Sequence, residues 1–225
     1  MKLDPTKGNF SAGSALLLSA IDQGSRSPRR FLAWLKLRLG PFDHLIEKVP
    51  AEASVLDVGC GFGVFLGSLA VSGKPIRGLG FDRNALGIGQ ARDMAARLKA
   101  MGCQAELQFE CRDIVDPWPE GVFDVVTIVD VIHHLPIAMR PSMLSRASTR
   151  LRPGGLVLLK DISPRPLWQA YANRLSDLAM YLSWVRYSSP EEMISWGRDS
   201  GLELLTREKI DRMCYGHSLM VFRRT

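Results

Sequence analysis

The 225 residues contain only four cysteines, Cys60, Cys103, Cys111 and Cys214. With neither a CxxC pair nor a regular spacing among them, the chain encodes no disulfide framework and no zinc module. No cleavable hydrophobic leader is expected before the first motif. No uninterrupted apolar run approaches the roughly 20 residues that cross a bilayer. Internal repeats and low-complexity tracts are absent as well. These absences make a reduced, cytoplasmic setting the expectation and argue against a spanning helix, while contact with a membrane surface stays open.

Excess charge of one sign is also small: 29 Lys+Arg against 23 Asp+Glu give a net charge of +6. Such a balance favours anionic partners only weakly. A hydrophobic content of 46% supplies one substantial core in a chain of this length. One main domain is therefore expected.

Residues 1–25 mix Gly, Ser and Lys around a short apolar patch without a sustained period, and read as an arm. Over 28–49 the pattern changes. Phe31, Trp34, Leu35, Leu39 and Leu45 alternate with Arg29, Arg30, Lys36, Arg38 and Lys48, an amphipathic helix interrupted near Gly40-Pro41. Short apolar runs at 54–58, 76–81, 105–109, 122–129 and 156–159 then alternate with helical stretches at 84–101 and 141–151. That rhythm predicts a largely parallel sheet with helices on both faces. After Asp161 a stretch rich in Leu, Trp, Tyr and Met reads as an inserted helix, Ser189-Pro190-Glu191-Glu192 opens another, and 203–209 and 215–223 look like closing strands. The expected division is an arm and helical cap over 1–50 and a main domain over 51–225, with a helical insertion at about 164–186.

The strongest motif is Val55-Leu56-Asp57-Val58-Gly59-Cys60-Gly61-Phe62-Gly63, three glycines at alternate positions after an apolar strand. Glycine lets a backbone turn sharply and approach a ligand, and the helix that follows presents unpaired N–H groups. The same turn would also serve as a plain strand-to-helix connection. Asp82 ends the next apolar run, near the roughly 20-residue separation at which a carboxylate accepts ribose hydroxyls. A dinucleotide fingerprint needs G-x-G-x-x-G, and here the last glycine sits one place early. Asp57 beside the loop would repel a pyrophosphate, yet it suits the ammonium and sulfonium charges of S-adenosylmethionine.

On these residues, and in order over about 51–162, the chain resembles the class I S-adenosylmethionine-dependent methyltransferases. Its similarity is to the small-molecule, quinone-biosynthesis branch. Asp57, Gly59, Gly61 and Gly63 match the family's glycine motif, Asp82 its ribose acid, and Asp113 in Cys111-Arg112-Asp113-Ile114 the acid near the adenine amino group. The run 123–130 looks like its fourth strand, and Leu151-Arg152-Pro153-Gly154-Gly155-Leu156 like the turn into its fifth. The resemblance implies a Rossmann-like, doubly wound, mostly parallel seven-stranded α/β sheet with N-terminal helices and a helical lid. It also implies cofactor contacts from Arg83, Ile114, Val129 and Asp130 in addition to the matched residues, with S-adenosylhomocysteine as product.

Methyl transfer from a sulfonium chiefly requires alignment, but a hydroxyl or acidic-carbon acceptor must also lose a proton. His134 and His133 follow the fourth strand after Asp130, at the carboxyl edge where ligands collect, and are the candidate bases. The alternative is that one caps a helix and the other packs against it. Adjacent histidines rarely turn to one ion, so no metal is expected. The apolar stretch 166–185, with Trp168, Tyr171 and Trp184, suggests a lid over a small, apolar or aromatic acceptor, and Tyr187 and Tyr215 could add polar contacts there. The helix over 31–39 would pack against the sheet edge, close the same pocket or lie on an anionic membrane. A monomer or homodimer is expected. Nucleic acid is not expected as a partner, because the basic residues are spread out and no N/D-P-P-Y-like motif is present. A nucleic-acid methyltransferase and a non-catalytic cofactor-binding protein remain as alternatives.

Overall fold

The computed structural model describes residues 9–21, 34–35, 37–38, 40–163, 186–212 and 215–225. The chain divides into two compact units, Met1–Pro119 and Glu120–Thr225.

In the first unit, strands β1 (Ser54–Val58), β2 (Arg77–Asp82) and β3 (Glu106–Cys111) run parallel in the order β3-β2-β1. Val55, Leu56 and Val58 are all fully buried. Their near-continuous apolar run is that of a parallel strand covered on both faces. Helix α3 (Val64–Val71) crosses from β1 to β2 and α4 (Ala85–Ala100) from β2 to β3. The start of α4 is fixed by Asn84, whose side chain accepts the Gly87 N–H at 3.1 Å. Ile88, Ala91, Met94 and Leu98 give it a buried stripe at helical spacing.

The N-terminal stretch departs from its sequence pattern. Helix α1 (Asn9–Ile21) occupies much of the segment read as an arm. Leu17 and Ala20 are fully buried, and α1 packs on α3 and α4. The Arg97 guanidinium donates to the carbonyls of Ala20 at 3.0 Å and Ile21 at 3.3 Å, placing a cation at the helix C-terminus. A Gly- and Ser-containing helix of this length is marginal alone, so its stability comes from packing that no periodicity announces. Helix α2 (Phe42–Lys48) begins after Pro41, consistent with the interruption expected there, and Lys74 Nζ donates to the carbonyls of Ile46 and Val49 at its end.

The second unit carries β4 (Phe123–Val129), β5 (Leu151–Ile162), β6 (Leu202–Arg212) and β7 (Tyr215–Arg224) in the order β4-β5-β7-β6. β5 is parallel to β4, and β7 is antiparallel to both of its neighbours. Helix α5 (Arg140–Thr149) links β4 to β5, and α6 (Pro190–Asp199) precedes β6. The Ser189 start signal is a full capping box: Ser189 Oγ accepts the Glu192 N–H at 3.2 Å, and Glu192 Oε2 accepts the Ser189 N–H at 2.7 Å. Pro153-Gly154-Gly155, expected as a turn before the fifth strand, lies inside β5 as an irregularity. Phe123 pairs with Leu151 and Val125 with Leu156, so residues 152–155 bulge opposite Asp124.

Three strands and then four, mostly parallel with a reversed hairpin at the end, give the Rossmann-like α/β class expected from the sequence. The expected lid insertion, apart from Arg186, lies outside the described residues. Among the described residues no helix is long and apolar enough to cross a membrane. Replacing Arg97 with Met should lower the unfolding free energy by about 1–3 kcal/mol, the cost of two carbonyls losing a charged donor. It should also hasten proteolysis near α1; unchanged melting and cleavage would show that the cap is not what docks the helix.

Candidate functional site

The first unit assembles the glycine turn. Gly59, Gly61 and Gly63 all have left-handed backbones, with φ of 69°, 58° and 77°. The Gly59 and Cys60 N–H groups donate to the Phe81 carbonyl at 2.9 and 3.1 Å, tying the turn to the end of β2. Asp82 extends that tie: its Oδ2 accepts the Gly61 N–H at 3.0 Å and its Oδ1 the Asn84 N–H at 2.8 Å. One carboxylate thereby holds two backbone donors. Each oxygen keeps a further lone pair, enough for the two hydroxyls of a ribose.

Two glycines are required for different reasons. A Cβ on Gly63 would lie 2.9 Å from the Phe109 ring and 3.0 Å from the Ala91 Cβ, so the turn packs directly on the core. A Cβ on Gly61 would meet nothing within 4 Å, so only its left-handed backbone demands glycine. The open space over Gly61, beside a carboxylate with unused acceptors, fits the sugar end of a nucleoside. Asp57, buried at 2% exposure in β1, stands just before the turn.

The remaining first-unit expectations cluster after β3. Asp113 Oδ1 accepts the Val115 N–H at 3.2 Å and the Ile114 carbonyl accepts from Trp118 Nε1 at 3.0 Å, so the Asp113-Ile114 turn is fixed. Trp118 packs on Phe81 with ring centroids 5.6 Å apart. The Arg83 carbonyl accepts from Cys111 Sγ at 3.7 Å while its side chain is exposed.

In the second unit, β4 ends at Val129 and the chain turns at Asp130, whose φ of 57° is left-handed although it is not glycine. Its N–H donates to the Lys160 carbonyl at 2.9 Å. Both of its carboxylate oxygens accept from Lys160 Nζ, at 2.6 and 2.7 Å, and the lysine is 1% exposed. Burial pushes the Asp130 carboxyl up, but the Lys160 ammonium, with His217 and His133 nearby, outweighs it and lowers the group to about 2.

A single short 3₁₀ turn, Ile132–His134, then presents the two histidines differently. His133 is buried: its N–H donates to Asp161 Oδ2 at 3.1 Å and its Nδ1 meets Asp161 Oδ1. That contact favours the tautomer with hydrogen on Nδ1 and the lone pair on Nε2. His134 is exposed, its ring centroid 4.0 Å from that of His133. Tyr187 sets its ring edge-on to His133 at 5.6 Å. Buried Arg140 closes the arrangement, donating to the carbonyls of Leu135 at 3.0 Å and His133 at 3.3 Å and to Ser188 Oγ at 2.8 Å.

Sequence reasoning reached the histidines, Asp130 and Tyr187 but missed Lys160, Asp161 and Arg140. The signal for the first two was present: Lys160-Asp161 interrupts an otherwise apolar strand run, and charges there require partners. The side chain of Tyr215 lies outside the described residues. Asp130, His133 and Asp161 bring possible metal-ligand atoms within 4.8 Å of one another. Lys160 already supplies the cation for Asp130, and Asp161 is engaged by His133 and by the Ile162 N–H at 2.7 Å. A metal would have to displace these contacts.

A family model described as Methyltransferase domain matches residues 26–207. The chain is 29% identical over 162 residues to the ubiquinone biosynthesis O-methyltransferase of Pseudomonas syringae pv. tomato, covering 68% of this chain and 66% of that protein. To the protein of the same name from Pseudomonas paraeruginosa it is 30% identical over 164 residues, with the same coverage. The match thus spans 66% of the length of these curated relatives, just under two thirds. Magnesium protoporphyrin IX methyltransferase from Synechocystis PCC 6803, solved with bound SAH, is similar in structure at a TM-score of 0.67 and 18% identity, covering 96% of this chain and 95% of that one. The [4+2]-cyclase SpnF is similar at a TM-score of 0.64 and 16% identity, covering 96% of each chain. At these identities the likeness shows a shared fold, and the cyclase shows that the fold does not dictate the reaction.

Two consequences of the geometry are measurable. Gly61→Ala should cost about 1–2 kcal/mol for its left-handed backbone, and Gly63→Ala distinctly more, because its methyl also meets Phe109 and Ala91; equal losses in thermal melts would contradict the packing. Because the folded Asp130 carboxyl lies at about 2 against an ordinary 3.8, its stabilisation is complete above the ordinary value and disappears as pH falls through the lower one. The melting difference between the parent and Asp130→Asn should therefore hold steady above about pH 5 and close below about pH 4.

Proposed function

Because the chain belongs to the class I S-adenosylmethionine-dependent methyltransferases, with a methyltransferase-domain match over residues 26–207, we propose that it methylates a hydroxyl or acidic carbon of a small, apolar or aromatic acceptor. The observation that carries this reading is the exposed His134 backed by the buried His133–Asp161 pair. Simple alignment of a donor needs no such proton-handling group, whereas a phenol, with an ordinary pKa near 10, does. The names of the relatives as O-methyltransferases of ubiquinone biosynthesis support the same acceptor class.

When bound, S-adenosylmethionine supplies a methyl group on a sulfonium cation. The proposed roles of the chain's own residues follow from their surroundings. Asp82 accepts the ribose hydroxyls while keeping Gly61 and Asn84 in place. Gly59, Gly61 and Gly63 let the backbone come close to the donor, and Asp57 lends negative charge beside a cation. Asp113, Ile114 and Arg83 border the adenine; Val129 and Asp130 are assigned to the methionine end. His134 removes the acceptor proton and His133 supports its ring, with Asp161 fixing the tautomer. The reading includes a cytoplasmic setting, with peripheral membrane contact where the acceptor is lipid-like.

The test uses methyl-labelled S-adenosylmethionine with catechol as acceptor probe. Asp82→Asn should weaken S-adenosylhomocysteine binding roughly tenfold in calorimetry, the worth of one charge-assisted contact. His134→Ala should lower kcat by about 10²-fold while leaving that affinity nearly unchanged. Turnover of His134→Ala at the parent rate would remove the base assignment, and absence of any binding by the parent would remove the whole reading.

A further inference from the structure

Asp130 and Glu52 are the non-glycine residues with left-handed backbones among the described residues. Glu52 sits in an exposed turn. Asp130 sits at the end of β4, immediately before the histidine turn, where a left-handed non-glycine backbone persists only if the surroundings impose it. Lys160 imposes it at two points. Its carbonyl accepts the Asp130 N–H at 2.9 Å, and its ammonium donates to both carboxylate oxygens at 2.6 and 2.7 Å. At 1% exposure the ammonium has no water to fall back on, so releasing Asp130 would strand a buried charge. The next residue of β5, Asp161, takes the backbone N–H and Nδ1 of His133. Consecutive residues of one strand therefore grip the turn on either side of Val131 and Ile132.

We propose that Lys160 is a positioning residue: by holding Asp130 in the left-handed conformation it sets the backbone from which His133 meets Asp161 and His134 is presented. Its catalytic relevance rests on the reading of the histidines as the proton-handling pair. Lys160 itself touches no reacting atom. Its contribution is to make one turn geometry the only one that leaves no buried charge unanswered, and misplacement of such a turn by about 1 Å is enough to cost a reaction roughly 10²-fold.

Two variants separate the geometry of the turn from its charge. In the parent, the hydrogen on His133 Nδ1 facing Asp161 should appear as a low-field imidazole proton resonance protected from solvent exchange. Lys160→Met should lose this resonance. The double variant Asp130→Gly with Lys160→Met removes both charges together and places at 130 a residue that adopts the left-handed backbone without strain, so it should recover the resonance. If Lys160→Met proves too unstable to study, the double variant decides alone. Retention of the resonance in Lys160→Met, or its absence from a cooperatively melting double variant, would overturn the proposal. Binding of S-adenosylhomocysteine by the parent is measured in parallel. Its absence would remove the methyltransferase reading and leave the positioning result intact, so the two failures are distinguishable.

Discussion

An ammonium group buried in a β-strand must be met by a carboxylate, and the second unit is arranged around that demand. Lys160 is almost wholly shielded from water, so Asp130 has to stay beside it, even at the expense of a left-handed backbone. Once Asp130 is fixed, the short turn that follows has little choice of direction. It delivers His133 to Asp161, and Arg140 secures the carbonyls of His133 and Leu135 from behind. Two acids, Asp130 and Asp161, and two cations, Lys160 and Arg140, are drawn together into or beside the core.

The first unit solves a similar problem with the signs reversed. There the groups in need are backbone N–H donors of the glycine turn and of the entry to α4. Asp82 answers Gly61 and Asn84 at once, while the Phe81 carbonyl receives Gly59 and Cys60. In both units a residue at the end of one strand, or beside its end, holds the loop leaving the neighbouring strand. That arrangement suits a fold in which ligands gather at the carboxyl edge, because the edge is made of loops and would otherwise be its least ordered part.

The glycine spacing and the carboxylate of Asp57 would suit a nucleoside with a cationic group better than a dinucleotide. They do not by themselves select a reaction, as the cyclase of the same fold illustrates. Chemistry enters with the histidine turn. An exposed imidazole resting on a second one, itself oriented by a carboxylate, is more than alignment of a donor requires, and it is the basis for proposing an acceptor that must give up a proton.

Much of this was legible in the sequence. Near-continuous apolar runs such as Val55 to Val58, the stripe of Ile88, Ala91, Met94 and Leu98, and the Ser189–Glu192 capping box are local patterns, and local patterns determined most of the strands and helices and the glycine turn. Asp82 and the histidine pair could be located because their positions relative to those elements were already fixed. Other features were decided only by tertiary structure. Helix α1 owes its order to packing on α3 and α4 and to Arg97, residues remote in the chain. The different fates of His133 and His134, indistinguishable as neighbours in the sequence, follow from Asp161. The backbone of Asp130 follows from Lys160. Burial and charge pairing depend on which distant segments meet, and that is information no single stretch of the chain carries.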